Sequence, residues 1–186
     1  MTRTQISLPL PPLHGGPRYE TLWAEPVGRA RYRLLNCSFF LPLAVGDVVK
    51  ALRRGGRVVV TDFVEAGERT LSCTTVAHTV SEEEQRAVTE GWRRGGAAWT
   101  EGSHRLLLTV WRPDVNADDA FAFLVDDVRG RRGWHVPAVY SPQDRTRIMR
   151  AHFAPEPEPS NVVISLDAHR ARRGATPRPR IRNAAR

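Results

Sequence analysis

Prolines near both ends of the chain limit how much of it can form a packed domain. Residues 1–17 contain four prolines and two glycines, and residues 155–159 are Pro-Glu-Pro-Glu-Pro. Proline fixes φ and lacks the backbone N–H that helices and central strands need. We therefore predict a flexible Pro/Gly-rich lead-in over residues 1–17, a single α+β domain over residues 18–154, and a disordered Pro/Glu spacer and arginine-rich tail over residues 155–186.

The length and hydropathy of the chain favour one domain outside the membrane. With 186 residues, 41% of them hydrophobic, the chain can bury one substantial core. No stretch approaches the roughly 18–20 uncharged apolar residues that cross a bilayer, and the N-terminus lacks a signal-peptide pattern. Cys37 and Cys73 form no CxxC pair, so we expect reduced cysteines in the core. Together these features predict a cytoplasmic protein without a membrane partner.

Positive charge is concentrated at the C-terminus. Residues 160–186 contain seven arginines and a single acid, Asp167, so they account for most of the formal net charge of +8. A basic segment without fixed structure attracts nucleic acid or another polyanion through counterion release, largely without sequence preference. The predicted nucleic-acid-binding residues are Arg170, Arg172, Arg173, Arg178, Arg180, Arg182 and Arg186.

A short apolar patch stands beside these arginines. Residues 162–170 read VVISLDAHR, and Val163, Ile164, Leu166 and His169 form a predicted docking motif for a protein partner. Such a segment can add as a strand to a partner or dock as a brief helix. The alternative is an arginine-rich end with no dedicated protein partner.

The first half of the domain alternates short strands with tight turns. Five short strands joined in this way lower the exposure of their edges by curling, so we expect a highly bent antiparallel sheet or partial barrel. Gly55-Gly56 supplies the backbone freedom for one hairpin. The strands are predicted over residues 20–25, 31–41, 46–53, 57–65 and 69–78.

The second half changes to alternating helices and strands. Ser81 with Glu84 is typical of a capping box, and Asn116 caps a further helix. The order strand, helix, strand, helix, strand resembles half of a ferredoxin-like unit. One helix face is predicted to be buried through Phe121, Leu124, Val125 and Val128. Helices are predicted over residues 82–94, 116–130 and 141–153, and strands over 105–112 and 134–140.

Signatures of common enzyme chemistry are absent from the sequence. It has no GxSxG, Walker or GxGxxG motif, and its six histidines are scattered without metal-ligand spacing. Cys37 lies in an apolar stretch, whereas a reactive thiolate needs an electropositive, partly exposed setting. We therefore predict no catalytic residue, no metal ligand and no cofactor.

Two other arrangements of polar and aromatic residues have functional alternatives. Asp47, Asp62 and His135 are candidate residues for a pocket between the bent sheet and the α/β half, which would suit a small-molecule-binding protein or enzyme. Four tryptophans of the second half alternate with arginines, as in a stacking platform for single-stranded nucleic acid. The near-neutral body favours a place in the core for these tryptophans. They are Trp92, Trp99, Trp111 and Trp134.

Motifs between residues 20 and 49 resemble those of a known family. They are Glu20-Thr21-Leu22-Trp23-Ala24, Tyr32, Asn36, Phe39-Phe40 and Gly46-Asp47-Val48-Val49. In these residues the chain resembles an uncharacterised bacterial family, domain of unknown function 4265, whose members look like short cytoplasmic proteins. Cys37-Ser38 stands where the family pattern has an apolar residue and a proline. Because the family has no assigned activity, the resemblance implies a shared fold and no catalytic residue.

The leading hypothesis is a non-enzymatic accessory or interaction protein whose basic tail binds nucleic acid or another polyanion. The pocket-bearing enzyme or small-molecule-binding protein is one alternative. A toxin-neutralising or phage-related interaction protein is another, which the sequence does not separate from the leading hypothesis.

Overall fold

The residues of the protein that the structure describes form two β-sheets and three α-helices. The structure is a computed structural model that describes residues 3–12, 16–103 and 105–155. Within these residues the sheets and helices confirm the predicted α+β class, with a bent N-terminal sheet followed by an α/β unit.

The first sheet is a closed barrel of five strands in the order β1-β2-β3-β4-β5. Consecutive strands pair antiparallel, and β1 closes the barrel by pairing in parallel with β5, where Ser7 lies opposite Val59. The predicted bent sheet is therefore a fully closed barrel, in which no strand has a free edge. The strands are β1 (Thr4–Pro9), β2 (Tyr19–Gly28), β3 (Arg31–Leu34), β4 (Val48–Arg54) and β5 (Arg57–Glu65).

Strand β1 corrects the prediction of a flexible lead-in. Ile6 and Leu8 alternate with more exposed neighbours and are buried inside the barrel, while the whole of β1 pairs with β2. Pro9 is the last residue of the strand, and the pairing continues past it through the Leu10 N–H, which donates to the Arg18 carbonyl at 3.0 Å. The density of prolines therefore concealed a period-2 apolar pattern that marks a strand.

The second sheet is built from four strands in the order β7-β8-β6-β9, and all neighbours are antiparallel. Along the chain its elements follow the complete ferredoxin-like order β-α-β-β-α-β, with a third helix after the last strand. The elements are β6 (Leu71–Val76), α1 (Glu82–Trp92), β7 (Ala97–Ser103), β8 (Leu106–Trp111), α2 (Ala117–Val128), β9 (Trp134–Tyr140) and α3 (Pro142–Phe153).

This unit has one strand more than the sequence predicts. Strand β7 reads AAWTEGS, whose small and polar residues give no alternating apolar pattern. Strand β6 is predicted as part of the bent sheet but lies in the second sheet, between β8 and β9. The unit is therefore a whole ferredoxin-like sandwich instead of half of one.

Both faces of the second sheet are covered. On one face Leu107 and Trp111 pack with side chains from α1 and α2. On the other face Leu108 and Val110 pack with Cys37, which lies in the connection between β3 and β4. Because this connection covers the face that an RNA-binding sheet of similar topology would expose, the sheet offers no open stacking platform.

Helix α2 buries a face that matches the predicted one in part, because Leu124 is in the core and Val128 packs against it. Ala120 and Leu124 are buried, whereas Phe121 is exposed to solvent. Phe123 packs edge-on against Trp111, with ring centroids 5.7 Å apart. Three of the four tryptophans are in the core as expected, and the exception is Trp99, which is exposed on β7.

Helix α3 connects the two sheets. Ser141 and Asp144 cap its N-terminus reciprocally. Further along the helix, the buried Met149 belongs to the apolar cluster of the barrel, and Phe153 packs against the same cluster. The helix thus covers the barrel while following directly on β9 of the second sheet.

The substitution Leu8→Ala tests the assignment of β1. Because Leu8 is fully buried in the barrel, its truncation leaves a cavity and is expected to lower the free energy of unfolding by about 2–5 kcal/mol. Urea denaturation measures this change. The neighbouring Ser7→Ala, at an outward position, should alter stability by about 0.5 kcal/mol or less. A Leu8 variant as stable as the Ser7 variant would contradict the strand.

Candidate functional site

The residues that carry the family resemblance meet at one connection. We define the motif loop as residues 35–47, between β3 and β4. It contains Asn36, Phe39-Phe40 and Gly46-Asp47. Glu20 and Trp23, which belong to the same set of motifs, lie on the adjacent strand β2 and bind this loop directly. The motifs are separate in sequence and form one cluster in the structure.

Glu20 holds the middle of the motif loop. One of its carboxylate oxygens accepts a hydrogen bond from the backbone N–H of Phe39 at 2.8 Å, and the other accepts one from the Ser38 hydroxyl. The Ser38 oxygen in turn accepts the N–H groups of Phe40 at 3.2 Å and Leu41 at 3.0 Å. Three successive backbone donors are therefore satisfied by two side chains, which fixes the turn in one conformation.

The start of the loop is held from two directions. The side-chain oxygen of Asn36 accepts the N–H of Trp23 at 2.7 Å, and its amide nitrogen donates to the carbonyl of Cys37 at 3.0 Å. From the second sheet, the Glu101 carboxylate accepts the N–H of Cys37. The barrel and the second sheet therefore both form hydrogen bonds to the same short segment of the loop.

Burial sets the ionisation of the groups in this cluster. It raises the pKa of Glu20 above its ordinary value, and the nearby Glu101 charge acts in the same direction, while the hydrogen bonds from Ser38 and Phe39 oppose it. Burial, followed by the Glu101 carboxylate, also raises the pKa of the Cys37 thiol. Cys37 therefore remains a neutral thiol, and it is a free cysteine packed in the core, as the sequence predicts.

Asp47 ends the motif loop in a buried ion pair. Its carboxylate accepts the N–H groups of Ala44 at 2.8 Å and Gly67 at 2.7 Å, and the guanidinium of Arg145 lies 2.9 Å away. Arg145 also donates to the carbonyls of Gly67 at 2.9 Å and Arg69. Both side chains are fully buried. This ion pair is structural, and sequence reasoning did not find Arg145, whose place four residues before the buried Met149 is the signal that it faces inward.

The three predicted pocket residues do not form one site in the described residues. Asp47 is fully buried in its ion pair with Arg145. Asp62 is exposed on β5 opposite Lys50, and His135 is exposed on β9 opposite Thr75. No hydrogen bond connects them, and none of the three lines the cavities beside β7. The alternative of an enzyme using these side chains together has no geometric support.

A groove separates α1 from β7, the edge strand of the second sheet. Two adjoining cavities, of about 380 and 620 Å³, share Gln85, Gly102 and Leu107 as lining residues. Glu101, which holds the motif loop, lines the first cavity and His78 lines the second. Most of the lining side chains are charged or polar, whereas small-molecule sites are lined mainly by apolar ones. The groove therefore lacks the character of a small-molecule site.

Metal binding and membrane insertion find no support in the part of the chain that the structure describes. Its His, Cys, Asp and Glu side chains form no group of three or more that could hold a metal ion. The helices among those residues are too short or too polar to cross a bilayer. The predicted tail arginines from Arg170 to Arg186, and the predicted docking residues between Val163 and His169, lie outside the described residues.

Comparison with known proteins identifies the family. A family model described as Domain of unknown function (DUF4265) matches residues 20–135. The chain belongs to this family. The match confirms the resemblance found in the sequence, and it begins at Glu20, the residue that holds the motif loop. Arg145 lies beyond the DUF4265 match, although it pairs with Asp47 inside it.

A solved structure supports the fold of this DUF4265 protein. It is described as a novel crystal structure of a hypothetical protein from Neisseria gonorrhoeae, and it superposes with a TM-score of 0.57 at 12% sequence identity. The superposition covers 76% of this chain and 95% of the other. At this identity the likeness concerns the fold alone. The comparison with curated proteins gives no match.

Four exposed aromatic residues of the DUF4265 domain lie in or beside the segments that form and hold the motif loop. Two of them are sequence neighbours of Glu20 and Phe39, which hydrogen-bond to each other. A third is two residues from Glu101, and the fourth is Trp23, whose own backbone N–H binds the loop. We call these four exposed residues the aromatic surface. They are Tyr19, Trp23, Phe40 and Trp99.

The substitution Arg145→Met tests the role of the buried ion pair. It leaves the Asp47 carboxylate buried without its counter-charge, so the free energy of unfolding is expected to fall by about 3–5 kcal/mol. Arg147→Met is the matched control, because Arg147 lies on the same helix in an exposed ion pair with Asp144 and should change stability by about 1 kcal/mol or less.

Urea denaturation of both variants gives the comparison. Adding Asp47→Asn to Arg145→Met removes the unpaired charge and should restore part of the loss. Equal stability of the Arg145 and Arg147 variants would contradict a structural role for the pair.

Proposed function

We propose that this DUF4265 protein is a non-enzymatic cytoplasmic accessory protein that binds a protein partner with its folded body and nucleic acid or another polyanion with its tail. The observation that carries the proposal is that the polar side chains in and beside the motif loop bind backbone amides. Glu20, Asn36, Asp47 and Glu101 all hold backbone amides of the motif loop or its neighbours. Groups engaged in this way are not free to act as acid, base or nucleophile.

The proposed protein-binding site is the aromatic surface around the motif loop. Large aromatic side chains supply much of the binding energy at protein interfaces, because they bury a large area with little loss of side-chain entropy. Phe40 belongs to the motif loop, which is fixed from both sheets, and the other three lie on strands β2 and β7. Their backbone is therefore held in place before binding. The two free cysteines, Cys37 and Cys73, suit the reducing cytoplasm.

The tail supplies the proposed affinity for polyanions. Its seven arginines face a single acid from residue 160 onwards. In the ferredoxin-like unit, by contrast, several exposed arginines have a neighbouring carboxylate, as in the pairs Arg93–Glu90 and Arg129–Asp126. Neutralisation by nearby acids weakens the attraction of the ferredoxin-like unit for phosphate, whereas the tail keeps an excess of positive charge.

A photo-crosslinking residue at position 40 tests the aromatic surface. Phe40 is 49% exposed beside the motif loop and Phe121 is 47% exposed on α2, so position 121 is a control of equal exposure. In cells that produce the protein, position 40 is expected to give a defined crosslinked partner that position 121 does not give. Adding Trp23→Ala should weaken that crosslink at least tenfold. The same adducts from both positions, or none from position 40, would count against the site.

Neutralising the tail tests the second half of the proposal. With all seven tail arginines changed to glutamine in the full chain, affinity for a DNA duplex at low salt should fall at least tenfold. The slope of log K against log salt should become shallower by up to about 6 units, since each phosphate contact contributes about 0.9. A shuffled tail of the same composition is the control, and it should bind like the natural tail. Unchanged affinity after neutralisation would remove the tail from the proposal.

A further inference from the structure

A second group of cations lies on the folded body, on one side of the barrel. All of its members are exposed, and they belong to β3, β4, β5 and the turn between β2 and β3. We call this group the basic ribbon, because β4 and β5 form the hairpin at its centre. Its residues are Arg29, Arg31, Arg33, Lys50, Arg53, Arg54 and Arg57.

The hairpin presents its cations at an exposed tip. Gly55 and Gly56 both have positive φ, of 53° and 80°, which gives the tight turn whose twist matches that of the paired strands. The residues on either side of it, Arg53, Arg54 and Arg57, are exposed. The tip therefore projects three guanidinium groups within five consecutive residues.

Like charges face each other across the strands of the ribbon. Arg31 lies opposite Lys50, and Arg54 lies opposite Arg57. Direct cross-strand pairs of like charge destabilise a sheet. An arrangement that costs stability in the free protein is relieved when a polyanion neutralises it, which is a reason to expect a ligand there.

Few acids offset these cations. Among the described residues, Arg33 is the member of the ribbon that forms an ion pair, with Glu25 at 3.2 Å. Asp62 lies across from Lys50, and Glu65 is at the far end of β5, away from the tip. The tip itself has no acidic neighbour along either strand from residue 51 to residue 61.

We propose that the basic ribbon is a binding site for double-stranded DNA on the folded body, separate from the tail. Charge complementarity supplies the attraction, and the shape supplies the preference for a duplex, because a two-stranded β-ribbon fits the major groove, about 12 Å wide. Leu52, between the cations on the outward face, is exposed and can contact a thymine methyl group.

A duplex of DNA fits this surface better than a membrane does. Stable attachment to a lipid surface requires apolar side chains that enter the acyl boundary together with the cations. Leu52 is the large apolar side chain exposed on the described part of the hairpin, and the exposed aromatic residues are elsewhere. The deep, narrow major groove of an RNA duplex likewise does not admit a ribbon.

The test uses the full chain with Arg53→Gln, Arg54→Gln and Arg57→Gln combined. Its control combines Arg86→Gln, Arg93→Gln and Arg94→Gln, which removes the same charge from exposed positions of the ferredoxin-like unit. The probe is a short labelled DNA duplex, whose binding is measured by fluorescence anisotropy over a range of salt concentrations. Melting temperatures verify that both variants are folded.

The ribbon variant is expected to bind the duplex at least tenfold more weakly at low salt, with a salt slope shallower by about 3 units. The control should stay within about twofold of the natural protein. Equal losses in the two variants would show an effect of net charge and overturn the proposal, as would an unchanged ribbon variant.

Two further arms of the experiment distinguish the ribbon from a lipid site and from the tail. If anionic lipid vesicles bind through the ribbon residues and the duplex does not, the ligand is a membrane and the proposal fails. If the tail variant loses all duplex binding while the ribbon variant loses none, the ribbon proposal fails and the tail proposal stands. Residual, ribbon-dependent binding in the tail variant supports the ribbon whatever the contribution of the tail.

Discussion

The buried ion pair between Asp47 and Arg145 is the interaction on which the arrangement of the two sheets depends. It joins the end of the motif loop, the turn that leads from β5 to β6, and helix α3. A carboxylate and a guanidinium remain buried only while each has its partner and its hydrogen bonds. The barrel, the connection to the second sheet and the last helix must therefore hold their positions together. This requirement explains why residues up to Ala154 form one compact unit despite containing two separate sheets.

The motif loop shows why the family motifs tell us more about the structure of the protein than about its chemistry. The polar side chains in and beside it bind backbone amides, and they fix a turn that lies between the barrel and the second sheet. A residue that binds these backbone amides is required by the fold, whatever ligand the protein binds. Function is then expected on surfaces whose residues the fold does not need, and the aromatic surface and the basic ribbon are of this kind. Both are unfavourable in the free protein. The aromatic surface exposes apolar area to water, and the basic ribbon places like charges opposite each other.

The sequence predicted most elements with a local signal and failed where the signal was non-local. The glycine pair at the hairpin, the capping residues Ser81 and Asn116, and the class of the fold were all predictable from short-range chemistry. Strand β1 was missed because prolines outweighed alternation, and β7 because its small residues become a strand only through pairing with β8. The site was harder still. Asp47 was noticed for its strand neighbours, yet its burial is decided by Arg145, far along the chain and without a motif of its own.

The separation of Asp47 and Arg145 by 98 residues has a consequence for how the protein is made. The five barrel strands leave the ribosome before α3 does, so a barrel that formed at that stage would hold Asp47 without its counter-charge and an apolar cluster that Met149 does not yet cover. Contacts that close such long loops form late. Completion of the barrel therefore depends on the synthesis of α3, which supplies both Arg145 and Met149.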